Sequence, residues 1–142
     1  MNTFSPVERT LTQLDHVRLH KLTTRSQATH FSPTPTLETM QALLDTSDLV
    51  ASHDVAPDIV TMNSRVLLVD PSNQARQTLT LCYPEDSDPG AGFISVLSPM
   101  GASLLGLRVG SLARWRTPHG TEGMAEITAI LFQPEASGDY TT

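Results

Sequence analysis

The stretch Phe93-Ile94-Ser95-Val96-Leu97-Ser98-Pro99-Met100-Gly101-Ala102-Ser103-Leu104-Leu105-Gly106-Leu107-Arg108-Val109-Gly110 reads as strand, tight turn, short helix and second turn. Phe93, Ile94, Val96 and Leu97 are β-formers around Ser95. Ser98 then offers an N-cap oxygen, and Pro99 suits the first helical position, where no hydrogen-bond donor is lost. Met100, Ala102, Leu104 and Leu105 supply a helical apolar face, Gly106 stops the helix and Gly110 closes the turn after Arg108.

Outward from this centre, residues 60–70 read as a strand, with turn chemistry at Asp70-Pro71-Ser72-Asn73. Residues 76–83 alternate, Leu79, Leu81 and Tyr83 against Thr78, Thr80 and Cys82, which makes a hairpin with the strand before. Residues 86–92 form a charged loop containing glycine and proline. Residues 112–116, the turn Thr117-Pro118-His119-Gly120 and residues 124–132 give another antiparallel pair. The order strand-strand-strand-helix-strand-strand is a small α+β domain, an antiparallel sheet with a helix covering one face.

Before Pro57 the periodicity is helical. Leu11, Leu14, Val17, Leu19 and Leu22 imply a first helix from Thr12, about three turns and roughly 16 Å long. Residues 26–36 carry Pro33 and Pro35 and break it. A second helix is expected from a Thr36 cap to about Ser52, with Leu37, Met40, Leu43, Leu44 and Val50 apolar. The expected organisation is a short helical hairpin over residues 1–56, with residues 1–10 ragged, a hinge at residues 53–57 and the sheet domain over residues 57–142.

Four ordered segments carry a family resemblance: residues 94–110, Val60-Thr61-Met62-Asn63-Ser64-Arg65-Val66, Tyr83-Pro84-Glu85-Asp86 and Phe132-Gln133-Pro134-Glu135-Ala136-Ser137-Gly138-Asp139-Tyr140. Together they resemble the C-terminal domain of the GreA/GreB transcript-cleavage factors, and within that family the regulator of nucleoside diphosphate kinase branch. The resemblance covers residues 57–142 well and the first 56 loosely. It implies an FKBP-like fold for the sheet domain, RNA polymerase as partner and docking at the rim of the secondary channel. Matched residue by residue, the docking candidates are Ser98, Pro99 and Met100, with Gly101 permitting close approach. The same residues also serve simply to end a strand and start a helix. Leu97 stands where Gre factors usually have asparagine.

Gre factors stimulate cleavage through acidic residues at the tip of a long helical hairpin, which help hold a catalytic magnesium ion. The corresponding tip here, from Leu22 to Thr36, has no Asp or Glu and contains Arg25, a poor setting for a cation that prefers oxygen ligands. The longer of the two expected helices, about 16 residues, reaches only roughly 24 Å. The expectation is a non-enzymatic regulator that binds polymerase and competes with Gre factors without stimulating cleavage. Two other readings are a peptidyl-prolyl isomerase on the FKBP-like fold, and an active cleavage factor using Glu38 or Asp45. The branch name suggests an influence on nucleoside diphosphate kinase, but no residue pattern indicates phosphate chemistry.

Composition sets further bounds. The chain has 142 residues with 15 acidic and 9 basic side chains, a net charge of −6, and Lys21 is its only lysine. Both sides of Pro57 are acidic, so neither offers the basic footprint of direct nucleic-acid binding. Cys82 is the single cysteine, excluding an intrachain disulfide. No run approaches a membrane span of about 20 apolar residues, and the expected compartment is the cytoplasm. No cofactor or metal motif is present: His16 and His20 share a helix face without further ligands, and Glu85, Asp86 and Asp88 lack ordered ligand spacing. Ser98 lacks the flanking glycines of a nucleophile elbow. Gly101, Gly106 and Gly110 fit no phosphate loop. Cys82 reads as a strand residue, and Trp115 as core, with Arg114 and Arg116 on the opposite face.

Overall fold

A computed structural model describes residues 9–29, 35–116 and 120–138. In chain order the elements are β1 (Thr10–Thr12), α1 (Gln13–Thr29), α2 (Pro35–Thr46), β2 (Asp48–Val50), β3 (Arg65–Val69), β4 (Arg76–Cys82), β5 (Phe93–Ser95), α3 (Pro99–Leu104), β6 (Leu112–Arg116) and β7 (Glu122–Phe132). The protein is a mixed α+β structure whose five-stranded sheet has the order β5-β4-β3-β7-β6. No helix among the described residues is long and apolar enough to cross a membrane.

Alternation decides the sheet. Val66 and Leu68 of β3 and Leu79 and Leu81 of β4 are buried, whereas Arg65 and Thr78 are exposed. β3 pairs antiparallel with β4 and β7, and β6 with β7. β5, expected antiparallel, instead runs parallel to β4, with Thr80 opposite Phe93 and Cys82 opposite Ser95. The cause is the connection: two 3-10 turns, Pro84–Asp86 and Pro89–Ala91, bring the chain back beside Thr80, from where it runs in the same direction as β4. β3 is also shorter than expected, because Thr61 to Ser64 form a tight turn instead of extended chain. Asn63 has φ 67° there, a left-handed conformation asparagine tolerates, and Ser64 N–H donates to the Thr61 carbonyl at 3.1 Å.

The N-terminal elements depart further from expectation. α1 extends to Thr29 instead of ending near Leu22, and within it the Thr23 and Thr24 hydroxyls both donate to the His20 carbonyl. α2 starts at Pro35, so Thr36 lies inside the helix and is not its cap. It ends at Thr46, not Ser52, where the hydroxyls of Thr46 and Ser47 take the carbonyls of Ala42 and Leu43. Val50 therefore sits in β2, which pairs in parallel with β1, and Thr10 belongs to a strand, not a ragged end. Residues 1–8 and 30–34, the turn residues 117–119 and the last four residues lie outside the described residues.

One apolar cluster joins both parts of the chain. Leu19, Met40 and Leu44 from α1 and α2 belong to the same buried core as Val60, Leu81 and Leu104. Each fully buried leucine contributes about 2 kcal/mol, so the helices are seated on the sheet by packing.

Candidate docking turn

The turn into α3 is held at every joint. Ser98 has extended backbone, and its Oγ accepts the Gly101 N–H at 3.0 Å while donating to the Ser95 carbonyl at 2.6 Å. The Leu97 N–H is taken by Ser95 Oγ at 3.1 Å. Pro99 occupies the first helical position, as its missing N–H allows. At the other end, the Arg9 guanidinium donates to the carbonyls of Ala102 at 2.8 Å and Leu105 at 3.0 Å. Gly106, at φ 82°, lies close under Arg9 and Thr10. A six-residue helix too short to persist alone is thus fixed at both ends, and its carbonyl end carries a cation, the favourable sense for the helix dipole.

Ser98, Pro99 and Met100 are half-buried and Gly101 is buried. A Cβ at Gly101 would stand 2.0 Å from the Ser95 carbonyl oxygen, so the glycine admits the close approach of the chain's own backbone. Met100 packs on the core edge and, with Trp115 and Met124, lines a cavity of about 350 Å³. Trp115 lies over Gly123, its cross-strand partner, where a Cβ would come within 2.3 Å of the ring. A cavity of about 470 Å³ lies on the same strand pair, edged by Asp70, Arg114, Arg116 and Glu122. Arg116 and Glu122 form an exposed ion pair at 2.8 Å.

The other candidates take separate places. His16 and His20 stack with ring centroids 6.5 Å apart, and His16 Nε2 bonds the Leu44 carbonyl at 2.9 Å, tying α1 to the end of α2. Glu85, Asp86 and Asp88 are exposed around the 3-10 turns after β4. Asp45 is exposed near the end of α2, at the opposite end from the connection to α1, so it is not at the hairpin tip. The side chain of Glu38 lies outside the described residues. Among the described residues the aromatics take separate places: Tyr83 edges a cleft beside Arg18 and Lys21, Trp115 lies over Gly123, and Phe93 and Phe132 are exposed. Tyr140 lies outside the described residues.

Cys82 is buried, and burial, followed by the nearby charges of Asp86 and Glu85, pushes its thiol pKa up. Labelling of the native protein with a thiol reagent at pH 8 is expected to run at least about 100-fold slower than after denaturation; equal rates would contradict this placement.

Sequence reasoning missed the charged residues that the fold buries. Arg9 is half-buried, and burial lowers its pKa. Asp15 and Glu135 are two more, both buried next to the Thr61–Met62 turn. No periodic pattern marks them, since each is read only through a partner far along the chain.

The family model described as "Transcription elongation factor, GreA/GreB, C-term" matches residues 55–132, which include the turn into α3. The chain belongs to the GreA/GreB family. It is 38% identical over 106 residues to the "Regulator of nucleoside diphosphate kinase" of Escherichia coli (strain K12), covering 75% of this chain and 78% of that protein. To the "Transcription elongation factor GreA" of Chloroherpeton thalassium it is 33% identical over 84 residues, 59% of this chain and 53% of that one. Among solved structures, the GreA/GreB factor from Nitrosomonas europaea aligns with a TM-score of 0.71 and 30% identity, over 88% of this chain and 98% of that one. The alignment supports a mixed α+β, GreA/GreB-like fold over most of the chain.

Proposed function

We propose that this GreA/GreB-family protein is a non-enzymatic transcription regulator that binds RNA polymerase at the rim of the secondary channel and competes there with Gre factors. The observation that carries this reading is the rigid turn at the start of α3, which offers Ser98, Pro99 and Met100 at the surface of a family-matched fold. Preorganised turns lose little conformational freedom on binding, which favours their use as docking knobs. In this reading residues 57–142 are the docking unit, FKBP-like in form, and residues 1–56 are a short hairpin at the channel mouth. A relative named as a transcription elongation factor and another named as a regulator are consistent with it.

Cleavage is not part of the proposal. Residues 22–36 contain no carboxylate, and α1, with 17 residues, is only about 25 Å long. A backtracked elongation complex supplies the test. The protein alone is expected to leave the transcript uncut, and increasing amounts are expected to suppress cleavage stimulated by a Gre factor. Cutting by the protein alone, or Gre-stimulated cleavage unchanged under a large excess, would contradict the proposal.

A further inference from the structure

Two acids with no part in the docking turn meet at the seam between α1 and the sheet. Asp15, in the first turn of α1, is 1% exposed. Its Oδ2 accepts the Met62 N–H at 3.1 Å, while Oδ1 is buried without a hydrogen-bond partner. Glu135, beyond the end of β7, is 7% exposed and accepts the Thr61 hydroxyl at 2.7 Å. Thr61 and Met62 are consecutive, so one tight turn is clasped by an acid from the N-terminal helix and by an acid from the C-terminal segment.

The surroundings do not suit two ionised carboxylates. Facing Asp15 are the like charge of Glu135, the Arg18 guanidinium from the next turn of α1, the Thr12 hydroxyl and Tyr83 from the end of β4. Glu85 lies near that tyrosine and adds further negative charge. The Tyr83 hydroxyl is itself buried without a well-directed partner. An unpartnered acceptor beside a second carboxylate is the setting in which a carboxyl keeps its proton.

We propose that the Asp15–Glu135 clasp is a proton-operated latch: with Asp15 protonated, the first turn of α1 seats on the Thr61–Ser64 turn, and ionisation of Asp15 weakens that seating. Burial, reinforced by Glu135, pushes Asp15 up to about 7, against the opposing effects of the Met62 N–H, the Thr12 hydroxyl and Arg18. The sign follows from linkage. A folded-state pKa above the free value makes the contribution of Asp15 complete below about pH 4, progressively lost as pH rises towards 7, and constant above. Each pH unit inside that window changes the seating equilibrium by up to about tenfold. The latch needs no polymerase, so its test is independent of the proposed function.

Hydrogen exchange of the Met62 amide in the full chain, followed by NMR from pH 5 to 8 and corrected for the intrinsic exchange rate, reads the latch directly. Titration of the Asp15 carboxyl carbon is recorded beside it. The expected result is an Asp15 midpoint near 7, with Met62 protection falling by up to tenfold per pH unit to pH 7 and then levelling. Met62 is expected to stay less protected than Leu68 in β3, because the seam opens without global unfolding. Glu135→Gln keeps an acceptor for Thr61 but removes the neighbouring charge, so it should move both the Asp15 midpoint and the fall in protection to lower pH. An Asp15 midpoint below about 5, pH-independent Met62 protection, equal protection of Met62 and Leu68, or no shift in Glu135→Gln would each overturn the proposal.

Discussion

Gly101→Ala is expected to break the turn into α3 and to cost about 3 kcal/mol of stability, at the upper end of what one added methyl does in a packed site. The added Cβ would stand 2.0 Å from the Ser95 carbonyl oxygen and 2.9 Å from its carbon. Both are backbone atoms at the end of β5, so no side-chain rotation relieves the contact. The shift must also disturb the 3.0 Å bond from Gly101 N–H to Ser98 Oγ, which caps the helix. Thermal unfolding should show the midpoint lowered by roughly 10 °C, with polymerase retention reduced in the same variant. A midpoint within about 1 °C of the parent would contradict the packing described here.

Arg9→Met is expected to destabilise by roughly 2–3 kcal/mol, because a charged donor to two carbonyls is removed and both are left in a partly buried place. The carbonyls of Ala102 and Leu105 receive the guanidinium at 2.8 and 3.0 Å and close the far end of α3. Methionine retains much of the aliphatic packing, so the loss isolates the polar contribution. Chemical denaturation should give a lower midpoint with an unchanged slope. An unaltered midpoint would show that the Arg9 contacts carry no stability, and the strut between the N-terminal strand and α3 would have to be abandoned.

The part of the fold legible in the sequence is the part whose signals are local. Ser98, Pro99 and Gly106 mark the ends of α3 by capping chemistry, and the alternation around Leu79 and Leu81 marks β4. The β3–β4 and β6–β7 hairpins follow from the same logic. What stayed hidden depends on distant partners. β1 and β2 are three residues each and exist through their parallel pairing with each other. The direction of β5 is set by the path of the preceding turns, since alternation is the same for either direction. Asn63 carries a turn signal, yet Val60 and Met62 beside it are apolar and mask the break before β3. At the turn into α3, the sequence shows that Gly101 needs room but not whose atoms fill it. The buried Asp15 would be read from sequence as a solvated charge, because nothing near it in the chain announces Met62 or Glu135.

The central claim is that the Ser98–Pro99–Met100 turn binds polymerase, and retention of the protein on immobilised core RNA polymerase tests it most directly. Pro99 is half-exposed and uses no backbone donor, so Pro99→Asp places a charge at the proposed contact while the Ser98 cap remains. The account predicts that the intact protein is retained, that a Gre factor displaces it, and that Pro99→Asp, with its unfolding midpoint within a few degrees of the parent, is lost from the polymerase. Retention of Pro99→Asp equal to that of the intact protein, or no retention of either, would contradict it.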